Sequence, residues 1–395
     1  MSAEAVRETI ARWQRGGLLV AAVGVGLCAL AATVRLDTLL ESYLLGFLFW
    51  WMVSIGCLGV LLVYYLSGGR WGLAARPFLE CGAMTMPLAA LAFVPIALQM
   101  DRIYPWAAES EHTVASADAS PAEMTSDAGH HIPPDVQRLY LNVEFAQARA
   151  VGYFVLWVLL VLAFCLRARR GPRRPRGRRR LAAVALALMI LTCTFASIDW
   201  GMSLDPGWFS TIYGALIAMG GALAGLAITT AAAASLQSRT PSGTQLVVPP
   251  TLADLGTLTM AFLMLWAYFA FSQFLIIYAG NLPEENVWYI TRLQGGWQWF
   301  GLAAIVGGFV VPFGLLLSRD LKHNPRWLAG VALLVFGMQF VYLAWTILPS
   351  FRPGEILVRW TDVVAPLALG GLWTALFASL LARRVPEPQP TTEDS

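Results

Sequence analysis

Five side chains could do chemistry from within or beside long apolar runs: Glu80, Asp254, Asp199, Asp205 and Gln273. A carboxylate takes up and releases protons, and a buried carboxamide can hold water in a hydrogen-bonded chain, so these residue types suit proton transfer. Polar groups are also expensive beside lipid, which makes each one a functional candidate by default. Each has a structural rival. Arg76 stands four residues before Glu80, a spacing that favours a salt bridge on one helix face. Asp254 follows PPTL near a helix start, where the helix dipole stabilises a carboxylate. Asp199 and Asp205 share the stretch SIDWGMSLDPGWFSTIYG (197–214), whose Pro206–Gly207 pair turns the chain between two apolar runs. Trp200 and Trp208 in that stretch suit a membrane–water boundary, and Ser210 and Thr211 suit a helix cap. Ser54, Thr85, Gln99, Thr192, Thr194, Ser272 and Gln339 lie deeper and suit hydrogen bonds between helices.

Redox chemistry on this chain finds little support. Of four histidines, His112, His130 and His131 fall in one polar connection and His323 in another, so no span offers a haem ligand pair. Cys28, Cys57, Cys81, Cys165 and Cys193 stand singly inside apolar runs, with no CxxC or CxxCH. They read as small packing residues. There is no Walker A sequence, no dinucleotide-binding glycine fingerprint and no serine nucleophile elbow. The reading is that no cofactor or metal is bound by this chain and that any redox cofactor belongs to a partner. His130–His131 could bind a metal with nearby acids, but adjacent histidines in a polar loop are more often solvated.

The elements that position these groups are hydrophobic helices. The 395 residues are 57% hydrophobic and 13% charged, about half the charged fraction of a soluble domain. Ten apolar runs are long enough to cross a bilayer: 17–34, 44–66, 78–99, 143–166, 181–199, 211–236, 252–279, 297–318, 327–348 and 363–382. The fold class expected is therefore an all-α integral membrane domain over 17–383, with a short segment 1–16 before it and a tail 384–395 after it. The first run exceeds a usual signal core and is expected to stay as a helix. Pro87, Pro95, Pro312 and Pro366 interrupt apolar helices and could free carbonyls toward a polar cavity.

Orientation follows the basic residues. Of 27 Lys and Arg, 20 fall at the first end and in every second loop, nine of them in RARRGPRRPRGRRR (167–180). Six fall in the alternate loops, and Arg149 lies near a helix end. Both termini are thus expected on the cytoplasmic side. The arginine run is topological, with contact to anionic lipid in addition, and nucleic acid is not expected as a partner. The long connection 100–142 is expected outside; its middle reads as extended or flexible.

At residues 197–214 the chain resembles the signature of the ActF-type membrane subunit of alternative complex III, a bacterial quinol:cytochrome c oxidoreductase related to the NrfD/PsrC family. The likeness continues in YLNVEFAQARAVGYFVLW (140–157), WAYFAFSQFLIIYAGNLPEENVWY (266–289), LQGGWQWF (293–300) and PFGLLLSRDLKHNPRWL (312–328), and covers most of residues 15–385. It implies a ten-helix multi-pass protein of the bacterial inner membrane, working beside a sister NrfD-like subunit, an iron–sulfur subunit and c-type cytochrome subunits. Haem c and iron–sulfur clusters would be held by those partners. Quinol oxidation would occur in the sister subunit, with this subunit conducting protons. The chain departs from the family at EFAQAR and at FGMQFVYLAW, where Gln339 and Tyr342 stand in place of charged residues.

Glu80 and Asp254 then mark a cytoplasmic mouth, and Asp199, Asp205 and Gln273 an outer mouth, of two polar half-paths. About 20 Å of apolar helix separates them at ~1.5 Å per residue, so water or movement must join them. A quinol site within this chain, a structural anchor for peripheral cytochromes and a free-standing transporter are the alternatives.

Overall fold

In a computed structural model, residues 3–108, 139–166, 176–237 and 249–384 are described. Among them the secondary structure is helical, without strands, and ten helical segments are long and apolar enough to cross a membrane. The protein is an all-α, multi-pass membrane protein. In lipid the backbone must satisfy its own hydrogen bonds, and a continuous helix does this locally.

The helices are α1 (Ala3–Val34), α2 (Leu36–Ser67), α3 (Trp71–Ala83), α4 (Met86–Leu98), α5 (Met100–Ile103), α6 (Val143–Val161), α7 (Arg176–Trp200) and α8 (Tyr213–Gln237). There follow α9 (Pro249–Gly280), α10 (Pro283–Arg292), α11 (Trp297–Ile305), α12 (Val311–Leu317), α13 (Arg319–His323), α14 (Pro325–Phe351) and α15 (Thr361–Ala382). The segment before the first apolar run is itself helical from Ala3, so α1 is longer than its apolar stretch. Most of the outer loop, all three of its histidines, most of the arginine loop and the tail beyond Arg384 lie outside the described residues.

Local sequence explains the ends and breaks. Asn142 caps α6, its Oδ1 accepting from Phe145 N at 2.8 Å, and Asn324 caps α14 ahead of Pro325. The third span is split between α3 and α4 at Met84–Thr85, just before Pro87, whose missing N–H cannot continue the ladder. Pro95 and Pro366 sit inside helices that continue. Pro312 follows a π-helical stretch, Val306–Val310, that joins α11 to α12.

Helices α2 and α8 form the centre; 89% and 72% of their most apolar windows are buried, against 22% for α1. Their approach depends on glycine: a Cβ at Gly221 would stand 2.6 Å from the Met52 carbonyl, and one at Gly225 2.7 Å from the Cys57 amide. Such close backbone contact is how membrane helices pack when lipid offers no hydrophobic drive. A main core runs through α2 to α7 and parts of α8 and α14, and a smaller one joins α8 to α9, α12 and α14. Helix α1 lies on α15 along small residues and leaves Leu19, Val23 and Leu30 exposed to the bilayer.

Candidate functional site

The polar groups fall into separate clusters at the two ends of the bundle. On the side opposite the arginine-rich loop, Asp199 closes the last turn of α7 and is 4% exposed. Its Oδ2 accepts from Arg149 Nε at 2.9 Å and Tyr153 Oη at 3.0 Å; its Oδ1 accepts from Arg149 Nη2 at 3.1 Å and Tyr140 Oη at 2.9 Å. Arg149 also donates to the Tyr140 carbonyl and lies over the Tyr140 ring, 3.9 Å from its centroid. The carboxylate is thus ion-paired and accepts four hydrogen bonds. Tyr140, beyond the end of its span, has its phenol pushed above the ordinary range by burial and then by Asp199.

Trp200, expected at the membrane boundary, is instead buried. Phe93 and Trp51 pack on it at 4.9 and 5.0 Å between ring centroids, and Tyr104 donates to its carbonyl. The end of α7 is covered by α2, α4 and α6, so protein takes the place of the interface. Trp208 is buried too, stacked on Trp288 at 4.6 Å.

Asp205 belongs to a second cluster. Its Oδ2 accepts from Arg292 Nη2 at 3.1 Å and from Ser350 Oγ at 2.8 Å, while Arg292 also donates to the Thr346 and Trp288 carbonyls. Arg292 is almost fully buried and Asp205 about a third exposed. Burial pulls the Arg292 guanidinium below its ordinary range, against the pull of Asp205. Gln273, on α9, is buried beside Tyr289 of α10, but its Oε1 closes no hydrogen bond. Helix α10 thereby brings Gln273 and Asp205 to one corner through Tyr289 and Arg292, whereas Asp199 is held separately by α6. Neither Ser210 nor Thr211 caps α8 through its side chain; the Ser210 carbonyl accepts from Tyr213 N instead.

Sequence reasoning missed a third cluster on this side. Arg352 bridges two acids, donating to Asp362 at 2.6 and 3.0 Å and to Glu41 at 2.8 and 3.1 Å. Arg359 reaches Glu41 at 2.8 Å, and Ser42 donates to Asp362 at 2.6 Å. The charges tie α2, the end of α14 and the start of α15.

At the arginine-rich side, Glu80 is 3% exposed on α3. The expected Arg76 pair forms, Nε to Oε1 at 2.6 Å. Arg384, just past α15, pairs with the other oxygen. Tyr65 donates to Glu80 at 3.4 Å and in turn accepts from Arg178 Nη2 at 3.2 Å. Arg384 titrates above its ordinary range: burial works against its charge, but Cys81 and Glu80 outweigh it. Asp254 is half-buried in the second turn of α9, whose first residue is Pro249, so it lies past the capping position. Among the described residues it has no hydrogen-bond or ion-pair partner, so no such bond ties it to the Glu80 cluster.

Between the two ends lie short hydrogen-bonded links. At the break in the third span Ser54 and Thr85 hydroxyls meet at 2.7 Å, Trp373 Nε1 donates to Ser54 at 3.0 Å, and Thr85 donates to the Gly82 carbonyl at 2.6 Å. Trp157 donates to Thr192 at 2.9 Å. Thr194 bonds only its own helix, and Gln339, fully buried, has neither amide atom hydrogen-bonded. Helix α7 connects the ends, with Arg178 in the Glu80 cluster and Asp199 at the far terminus, 21 positions and about 30 Å apart at ~1.5 Å per residue. That distance matches the hydrocarbon thickness of a bilayer. Comparison with family models and with curated proteins finds no match to this chain.

Proposed function

We propose that this chain is a membrane subunit of a quinol:cytochrome c type oxidoreductase in the bacterial cytoplasmic membrane. In this reading it supports quinol oxidation carried out beside it and moves protons across the bilayer. The partners are a sister NrfD-like subunit, an iron–sulfur subunit and c-type cytochromes, which hold the haem and the clusters. The sequence resemblance over residues 15–385 motivates the family. The observation that supports the proton role is the pair of buried carboxylate clusters linked by α7, Glu80 at one end and Asp199 at the other. The Asp199 carboxylate is clamped by arginine. It accepts a proton when the guanidinium swings aside, and Tyr140 and Tyr153 stand within hydrogen-bond reach to relay it. Transfer between the clusters then needs water or helix movement, since Ser54, Thr85 and Thr192 are too few to form a continuous line.

The test is quinol-driven proton release by the complex in sealed vesicles, with Asp199→Asn and Glu80→Gln measured against the parent. Lost proton release with quinol oxidation retained supports the reading. Unchanged release and turnover in both variants removes these residues from proton transfer. A second reading, a scaffold for peripheral subunits, is favoured by the full hydrogen-bond complement of Asp199. In that case Asp199→Asn lowers complex yield while the ratio of protons to electrons in the surviving complex stays at the parent value.

A further inference from the structure

A small cavity lies where α2, α7, α8 and α14 meet, at the Asp199 end of the bundle. Trp51, Met52, Ser197, Gly201, Tyr213 and Leu343 are among the residues that line it. It offers about 10 Å³ to the centre of a water-sized sphere, and one water needs roughly 10–15 Å³ on that measure. Nothing larger fits. An apolar cavity stays dry, so the polar groups of the wall decide what this one holds.

Trp51 is fully buried, and its indole N–H has no hydrogen-bond partner among the described residues. A donor withdrawn from water is expensive to leave unmet. Trp157 and Trp200 pack on its ring at 5.6 and 5.0 Å between centroids, which holds the indole in place. Ser197 Oγ donates to the Cys193 carbonyl at 2.7 Å, leaving its lone pairs to accept. Tyr213 brings a phenol oxygen to the same wall, since a Cβ at Gly201 would stand 2.6 Å from Oη. Glycine at 201, inside the stretch that carries Asp199 and Asp205, thereby admits the phenol. One donor, one acceptor and one group that does either meet at a space of one water, which needs roughly two to four polar partners.

We infer that this cavity is a binding site for one ordered water molecule, which accepts from Trp51 Nε1 and bridges the hydroxyls of Ser197 and Tyr213. The water ties α2 to α7 and α8 within the membrane. Its partners stand beside both aspartate clusters of this side. Ser197 and Gly201 are each two residues from Asp199, and Tyr213 lies near Arg292 and Asp205. The site is independent of the proposed proton role.

The test is brief X-ray irradiation of the purified chain in lipid nanodiscs, read residue by residue by mass spectrometry. Radiolysis splits a bound water into hydroxyl radical where it sits, so the side chains around it are hydroxylated despite their burial. Trp51 is expected to be modified well above Trp297, which is equally buried but donates its N–H to the Arg352 carbonyl at 3.2 Å. Tyr213→Phe keeps the ring and removes one partner of the water. Modification of Trp51 should then fall about two- to tenfold, the worth of one hydrogen bond. Ser197→Ala removes another partner and should act in the same direction, with Trp297 unchanged in both variants as the sign of an intact fold. Trp51 modified no more than Trp297 in the parent means a dry cavity and overturns the inference without any variant. Undiminished modification of Trp51 in both Tyr213→Phe and Ser197→Ala overturns it as well.

Discussion

Arg149 and Asp199 lie fifty residues apart in the chain and meet as a two-pronged pair, Nε to Oδ2 at 2.9 Å and Nη2 to Oδ1 at 3.1 Å. The planar fork of arginine matches a carboxylate in this way, and lysine could not. Both side chains are largely withdrawn from water, 11% and 3% exposed. Removing two charges from water is costly, so the pair is tolerated only because Tyr140 and Tyr153 occupy the remaining acceptor sites. It joins α6 to α7 at the end where α7 turns toward α8.

Breaking that pair from one side strands the other charge. Asp199→Asn and Arg149→Gln are each expected to destabilise the protein by about 3–5 kcal/mol. The double variant should fall short of the sum of the two by roughly 0.5–3 kcal/mol, since it leaves no buried charge alone. Unfolding of the purified protein in detergent, followed for all four species, measures this. Strict additivity would show that the two residues act independently.

The glycines at the α2–α8 crossing give a sharper steric expectation. Gly221→Ala places a Cβ 2.6 Å from the Met52 carbonyl, a backbone atom that cannot step aside without moving α2. A markedly lower melting temperature and a lower folded yield should follow. Gly314→Ala on α12 is the control, because nothing lies within 4 Å of its added Cβ. Replacing an unhindered helical glycine by alanine stabilises by about 0.5–1 kcal/mol. Similar melting temperatures for the two variants would mean that the helices are not so closely packed.

The ten spans and the Arg76–Glu80 pair were legible because both signals are local: a run of apolar residues, and a spacing of one helical turn. The other ion pairs were not, because Arg384–Glu80 closes over 304 residues and Arg352–Glu41 over 311. No periodicity reports such a pairing. One clue existed: Arg149 stands within an apolar stretch, where a lone charge requires a partner. The outer arginines looked like ordinary loop charges when they were counted for topology. Arg102, Arg292, Arg352 and Arg359 each pair with an acid, so that side presents even less net basic charge than the count suggested. Trp200 was misplaced because its position next to a turn says nothing of the helices that cover it.

Within the membrane, the Trp373–Ser54–Thr85 link should behave as a unit. Ser54→Ala removes the acceptor for Trp373 Nε1, which is buried. An unmet buried donor costs about 1–3 kcal/mol, whereas losing both partners is nearly neutral. The melting temperature should therefore drop in Ser54→Ala and recover in part when Trp373→Phe is added. A further drop in the double variant would mean that packing of the indole, rather than its hydrogen bond, holds the break in the third span.

Alkaline pH gives a separate handle on the Asp199 cluster. The ordinary phenol value is 10.0, and in the folded protein Tyr140 is raised above it by burial and by the neighbouring carboxylate. A folded value above the unfolded one means that stability is fully present below about pH 10 and is lost as pH rises further, because the unfolded phenol ionises first. Tyr140→Phe has no proton to lose. Its melting temperature should start lower, for want of the hydrogen bond to Asp199, and then fall less steeply with pH than that of the parent. Tyr104 and Tyr289 are also raised by burial, so the variant's slope should shrink without vanishing. Melts of both proteins at intervals from about pH 9 to 11 decide it, with parallel curves counting against any part for Tyr140 in alkaline unfolding.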